Sequence, residues 1–124
     1  MTPLETVNGF IAALTDKRFD DALAMVTDDC EYDNVPMGKV HGPAEMRSFL
    51  EPMMSGCDEI DWPIHREAAT GNIVMNERTD RFKFPFGWVE VQVCGVFEVT
   101  DDGEISLWRD YFDEESFRKQ MPSE

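Results

Sequence analysis

The chain is poor in the residues that most often mark a metal site, a disulfide framework or a membrane span. Two histidines, His41 and His65, are too few and too scattered among 124 residues for a three-ligand metal site unless carboxylates complete it. No metal is expected, and both rings read as surface or satisfied side chains. The three cysteines, Cys30, Cys57 and Cys94, are odd in number and far apart, with no CxxC pair and no secretory leader before them. They read as reduced thiols of a cytoplasmic protein, Cys94 being small packing beside Gly95. No apolar run approaches the ~18 residues that a membrane span requires. Basic residues are also scarce: 11 Lys and Arg against 26 Asp and Glu leave a net charge of −15, with no local basic cluster. Such a charge repels polyphosphates and anionic lipid, so neither nucleic acid nor membrane is an expected partner, and a neutral or apolar substrate fits better. Its plainer reading is that it keeps the protein soluble. Linkers, internal repeats and low-complexity segments are missing too, which leaves one domain over residues 1–124.

Hydrophobic residues at 42% and aromatics at 11% show that the acidity sits on a foldable composition. A domain of this length buries roughly two thirds of its unfolded surface, enough for one core and one pocket but not for a cofactor domain. Thr2, Pro3 and Glu5 spell a capping box, after which Leu4, Val7, Phe10, Ile11 and Leu14 share a helical face to about Asp16. Phe19, Ala22, Leu23 and Val26 predict a second short helix closed by Thr27-Asp28-Asp29, and residues 30–35 a short strand. Gly42-Pro43 opens a third helix with Met46, Phe49, Leu50, Met53 and Met54 on one side, ending at Gly56. These methionines read as helix core before pocket lining. Strand runs near 59–68, 72–84, 88–100 and 104–112 are separated by Thr70-Gly71-Asn72, Pro85-Phe86-Gly87 and Asp101-Asp102-Gly103, connections short enough to imply antiparallel neighbours. Asp113, Glu114 and Glu115 start a last short helix. The expected fold is an α+β domain with one face of a mostly antiparallel sheet covered by helices.

Alternation in the run 72–84 does not settle which face is inside. One face carries Val74, Asn76, Arg78, Asp80, Phe82 and Phe84, the other Ile73, Met75, Glu77, Thr79, Arg81 and Lys83. If the phenylalanines point inward, Arg78 and Asp80 go with them, and buried charges need partners. The bland alternative is an exposed ion pair. In the last run Ser106, Trp108, Asp110 and Phe112 share a face, setting a carboxylate between large rings, though Asp110 also suits an edge strand that discourages aggregation. Tyr32 and Asn34 share a face about 7 Å apart and taken alone indicate nothing.

Together, Tyr32-Asp33-Asn34-Val35-Pro36-Met37, Glu77-Arg78-Thr79-Asp80, Gly95-Val96-Phe97 and Trp108-Arg109-Asp110-Tyr111-Phe112-Asp113 resemble the motifs of limonene-1,2-epoxide hydrolases in order and approximate spacing. The resemblance covers nearly the whole chain. It implies an NTF2-like, SnoaL-like fold, in which a strongly curved sheet and about four helices form a cone around an apolar pocket. It further implies a homodimer and cofactor-independent hydration of a hydrophobic epoxide to a vicinal diol. By the same resemblance Asp80 is the general acid, Asp110 the general base and Arg78 the bridge between them. Tyr32 and Asn34 position the attacking water, and Ile11, Leu14, Trp62, Phe82, Val91, Val93 and Phe112, which from the residues read as core first, line the substrate pocket. No nucleophile elbow suggests a covalent ester. The chain starts directly at its first helix, with no long leader to cover a pocket mouth, and Phe82-Lys83-Phe84-Pro85-Phe86-Gly87-Trp88 is unusually aromatic. Those rings motivate a larger or flatter apolar epoxide. Two alternatives stay open: an isomerase or cyclase of the ketosteroid isomerase-like or polyketide cyclase-like type, which needs a carboxylate base and an oxyanion donor, and a non-catalytic module that holds a ligand in the same cone.

Overall fold

The capping box forms as spelled. Thr2 Oγ1 accepts from the Glu5 amide at 3.1 Å and Glu5 Oε1 from the Thr2 amide at 2.9 Å, starting α1 (Pro3–Thr15). In the computed structural model, which describes residues 1–122, α1 is followed by α2 (Phe19–Leu23), β1 (Val26–Asn34), β2 (Gly38–His41) and α3 (Gly42–Ser55). Then come β3 (Glu59–Asp61), β4 (Ile64–Thr70), β5 (Ile73–Phe84), β6 (Gly87–Val99), β7 (Ile105–Tyr111) and α4 (Glu114–Gln120).

One sheet holds all seven strands in the order β2-β1-β7-β6-β5-β3, with β4 also on β5. The neighbours pair antiparallel, except that β1 runs parallel to β7. That exception matters for the site, because it brings the first strand of the chain beside the last. Helices α1 and α3 cover the concave face, α1 against β5 and β6 and α3 against β1, while α4 packs on β6. The result is the expected α+β cone. Its core is led by Phe10, Leu14, Met46, Leu50, Met54, Phe97 and Trp108, with Phe10 set edge-on to Trp108 at 5.2 Å.

Three local expectations need correction. Helix α2 stops at Leu23, because Val26 is claimed by the sheet: it lies opposite Ile105, whose amide donates to the Met25 carbonyl at 2.8 Å. Thr27-Asp28-Asp29 therefore belongs to β1 rather than to a turn. The run near 59–68 is two strands, broken at Trp62-Pro63. Proline has no N–H for the ladder, and its carbonyl accepts from the Thr79 amide at 3.2 Å instead. Strand β2 was not foreseen; its four residues show no alternation, and backbone pairing with β1 alone defines it.

Gly42 joins β2 to α3 with φ +81°, and a Cβ there would lie 2.7 Å from the Asp28 carbonyl oxygen. Both the left-handed backbone and the close approach demand glycine. Gly42→Ala is expected to cost roughly 1–3 kcal/mol of stability, read as a lower urea midpoint.

Candidate active site

The inward face of β5 carries its charges inside. Val74, Asn76, Arg78, Asp80 and Phe82 are buried, whereas Ile73 and Met75 on the opposite face are exposed. Hydrophobicity alone would have oriented this strand less clearly than partner satisfaction does. Arg78 is 0% exposed, Asp80 5% and Asp110 4%. Arg78 donates from Nε to Asp80 Oδ1 at 2.8 Å and from Nη2 to Asp80 Oδ2 at 2.9 Å, a bidentate fork. The same Nη2 donates to Asp110 Oδ2 at 2.9 Å. One guanidinium thus links two carboxylates that come from different strands.

Register explains how they meet. Asn34 on β1 lies opposite Asp110 on β7, Asp110 opposite Gly95 on β6, and Gly95 opposite Asn76 on β5. The next inward row is Tyr32, Trp108, Phe97 and Val74. Arg78 stands two residues beyond Asn76 and reaches back across β6 toward Asp110. Gly95 makes that crossing possible: a Cβ at this position would fall 2.5 Å from Arg78 Nη1 and 2.9 Å from both Asp110 Oδ1 and Asn76 Oδ1.

The other polar groups hold fixed places. Trp108 Nε1 donates to Asp110 Oδ1 at 2.8 Å, while its ring stacks on Tyr32 at 4.1 Å and on Phe97 at 6.0 Å. Asn34 Nδ2 donates to the Tyr32 hydroxyl at 3.0 Å. These side chains border an apolar cavity with an open mouth. Tyr32, Asn34, Asp80 and Asp110 supply its polar part; Arg78 lies behind the wall, its Cζ 5.3 Å from the centre of the Trp62 ring.

Electrostatics follow from burial. Loss of solvent pushes Asp80 up to about 6, against the pull of Arg78 and with help from the Asp110 charge. Burial opposes the charge on Arg78, but Asp110 and Asp80 outweigh it, so the guanidinium stays protonated. Burial and the nearby Asp110 hold the Tyr32 phenol well above its ordinary range, so it remains a hydroxyl donor. The site therefore offers an acid that keeps its proton to higher pH than an ordinary aspartate, a second carboxylate and a fixed cation in a poorly hydrated cavity. That set suits transfer of one proton to, and another from, an apolar substrate.

All five polar residues singled out in the sequence, Tyr32, Asn34, Arg78, Asp80 and Asp110, come together here. Among the expected contact residues, Trp62, Phe82, Val91, Val93 and Phe112 line the cavity. Ile11 and Leu14 do not: they lie on the buried face of α1 within the core, where a 3.6-residue period places them with Val7 and Phe10. Of the aromatic segment 82–88, Phe82 alone is in the lining. Phe84 and Phe86 stack on each other at 5.2 Å outside it, and Trp88 lies under Arg81. These rings therefore do not enlarge the cavity. Lining residues not anticipated include Met37, Phe49 and Phe117. The structural roles of Asn76, Gly95 and the Trp108 indole were missed as well, although a glycine at an inward position between Val93 and Phe97 is a readable sign of close approach.

The remaining titratable side chains lie elsewhere. Cys30 is buried, its thiol pushed up to about 12 by burial and by Asp29 and Glu31. Cys94 is exposed on the outer sheet face, not packed as expected, because it alternates with inward Gly95. His65 Nε2 is 2.8 Å from Thr79 Oγ1, and His41 faces Glu31 at 3.7 Å. Among the described residues no group of three His, Cys, Asp or Glu is arranged to hold a metal, and no helix is long and apolar enough to cross a membrane.

The cone is shared widely. A candidate SnoaL-like polyketide cyclase from Shewanella putrefaciens superposes with a TM-score of 0.87 over 97% of this chain and 96% of its own, at 17% identity, a likeness of fold alone. A solved LEH-like epoxide hydrolase from Mycobacterium tuberculosis superposes with a TM-score of 0.83 at 38% identity, covering 94% of this chain and 86% of that one. Epoxide hydrolase EphG of Mycobacterium tuberculosis is 42% identical over 107 residues, 86% of this chain and 70% of EphG. The pattern of the limonene-1,2-epoxide hydrolase catalytic domain matches residues 1–123. The chain belongs to the limonene-1,2-epoxide hydrolase family, and its enzyme class is epoxide hydrolase.

Since Gly95 clears the path of Arg78, Gly95→Ala is expected to cost about 1–3 kcal/mol by overpacking and to separate Arg78 from Asp110. Urea unfolding, with a crystal structure of the variant, checks both effects.

Proposed function

We propose that this protein hydrates a hydrophobic epoxide to a vicinal diol in one step, by general acid and base catalysis without a covalent intermediate, metal or cofactor. The observation that carries the reading is the Asp80–Arg78–Asp110 chain, buried at the edge of an apolar cavity. An epoxide opens when its oxygen gains a proton as water attacks the carbon behind it. In this reading Asp110 takes a proton from the water, the new C–O bond forms, and the old C–O bond breaks toward an oxygen protonated by Asp80. The electron pair of the broken bond becomes that hydroxyl. Asp110 ends protonated and Asp80 ionised, and both are reset by giving up and regaining one proton, so the sum is epoxide plus water to diol.

Asn34 and Tyr32 suit the water. Its two hydrogens point to Asp110 and to Asn34 Oδ1, while the Tyr32 hydroxyl donates to its oxygen, leaving one lone pair for the carbon. Arg78 offsets the negative charge as the proton leaves Asp80, without giving up its own proton. Trp62, Phe82, Val91, Val93 and Phe112 hold the apolar body of the substrate. Homodimeric assembly and a cytoplasmic location belong to the same proposal, on family grounds.

Single-turnover incubation of excess enzyme with apolar epoxides in ¹⁸O-water tests the core claim. One label is expected in the first-turnover diol; an unlabelled first-turnover diol means that its oxygen came from a covalent ester, and overturns direct attack. No diol across a broad panel shifts the case to proton transfer without hydration. Asp80→Asn and Asp110→Asn should each lower kcat by roughly 10²–10⁴-fold with circular dichroism unchanged. Full activity in either folded variant removes the proposed machinery.

The pH profile has a definite sign. Asp80 works as an acid only while protonated, and its folded value lies above the ordinary one, at about 6. The rate is therefore expected to decline as pH rises through the value of the coupled acid pair, tenfold per unit beyond it, with bound apolar substrate moving that limb upward by further desolvation. A rate that climbs steadily from pH 6 to 9 would contradict Asp80 as the acid.

A further inference from the structure

Asn76 is 2% exposed, sits two residues before Arg78 on the inward face of β5, and does not line the cavity. It cannot touch substrate from there, yet it is not satisfied as a structural amide either. Its Oδ1 accepts from Arg78 Nη1 at 2.9 Å, while its Nδ2 is buried with no partner among the described residues. Leaving a buried donor unmatched costs free energy, so the residue's oxygen is what the position uses. Turning the amide over would set Nδ2 against Nη1, donor against donor.

The oxygen decides where the guanidinium points. Nε and Nη2 are spent on Asp80, Nη2 also on Asp110, and Nη1 on Asn76. Nη1 and Asp110 Oδ1 both border the slot left by the missing Cβ of Gly95. Without a neutral acceptor behind it, Nη1 would turn through that slot to Asp110 and draw the fork off Asp80. A carboxylate in place of Asn76 would hold Nη1 but compete with both acids for the cation. Among the described residues, the charged or titratable groups facing Arg78 are Asp80 from β5, Asp110 from β7 and the Tyr32 phenol from β1, while Trp62 and, from β6, Val93 and Gly95 contribute no charge.

We infer that Asn76 is a positioning residue, which parks one arm of Arg78 on a neutral oxygen and so keeps the fork seated on Asp80 while a single N–H reaches Asp110. The inference rests on the proposed roles of Arg78, Asp80 and Asp110. Two variants of nearly equal shape isolate the oxygen. Asn76→Thr keeps a neutral acceptor on a strand-compatible side chain, and Asn76→Val removes it. Asn76→Thr should retain kcat within about threefold of the parent, whereas Asn76→Val should lose at least about tenfold, with KM within about twofold in both.

A second readout needs no substrate: the ¹³C carboxyl titration of Asp80 is expected to move upward by at least about half a pH unit in Asn76→Val and to stay in place in Asn76→Thr. If the two variants behave alike in titration and in kcat, Asn76 is merely structural and the inference fails. If the parent makes no diol, the hydrolase reading fails by itself and the titration pair still decides. If Asn76→Val does not fold, Asn76→Ala takes its place: an upward-moved Asp80 titration beside a parental one in Asn76→Thr supports the neutral-acceptor role, and like titrations in both overturn it.

Discussion

Burying a guanidinium withdraws several kcal/mol of hydration from each partner, and the ion pairs recover it only when geometry satisfies almost every N–H. Arg78 meets that demand with four hydrogen bonds at 2.8–2.9 Å, drawn from three side chains on two strands. Nothing in the neighbourhood can move far without leaving a charge uncompensated. A one-residue slip of β5 against β6 would turn Arg78 and Asp80 outward and bring Glu77, Thr79 and Arg81 in, so the ion chain and the register specify each other. The same demand explains Gly95, since any side chain there would occupy the space through which Arg78 reaches Asp110.

Behind the ions stands an aromatic wall. Trp108 lies between Tyr32 and Phe97, is met on edge by Phe10 from α1, and donates its indole N–H to Asp110. The side chain that fills the centre of the core thus also aims a carboxylate at the cavity. Because the polar groups sit on strands rather than loops, their spacing is set by the sheet's own ladder, which is how preorganisation is achieved at low entropic cost. Packing and chemistry here are one arrangement, and helix α1 serves the site through Trp108 while contributing none of its cavity lining.

Much of this was legible in the chain. The capping box, the glycine-proline start of α3 and the three turns between the later strands were visible because each rests on local backbone chemistry. The five polar residues were visible only jointly, through motif order, since each has an ordinary reading when taken alone. What escaped detection depended on tertiary pairing. Val26 sat at a helical spacing but was claimed by β7, and Gly38–His41 became a strand only because β1 lay beside it. Ile11 and Leu14 have the same apolar character as true lining residues; only the direction of α1's buried face separates core from cavity. Asn76 was noted on the right face, but an amide's partner cannot be read from alternation.

The apolar lining also sets the acid strength of Asp80. Asp80 is held near 6 chiefly by lack of water, and the Arg78 cation pulls the other way. Acid strength in this cavity is therefore a balance between desolvation, which keeps the proton on, and a fixed positive charge, which eases its departure. A drier pocket without Arg78 would hold the proton too tightly, and a bidentate pair open to water would ionise early. Setting the cation behind the wall resolves the conflict: it acts on both carboxylates through fixed hydrogen bonds, while Phe82, Val91, Val93 and Phe112 keep the front face dry. The other acidic side chains among the 26 of the molecule do not upset this balance, because charges that face solvent are screened within about 10 Å, whereas Asp80, Arg78 and Asp110 are buried together.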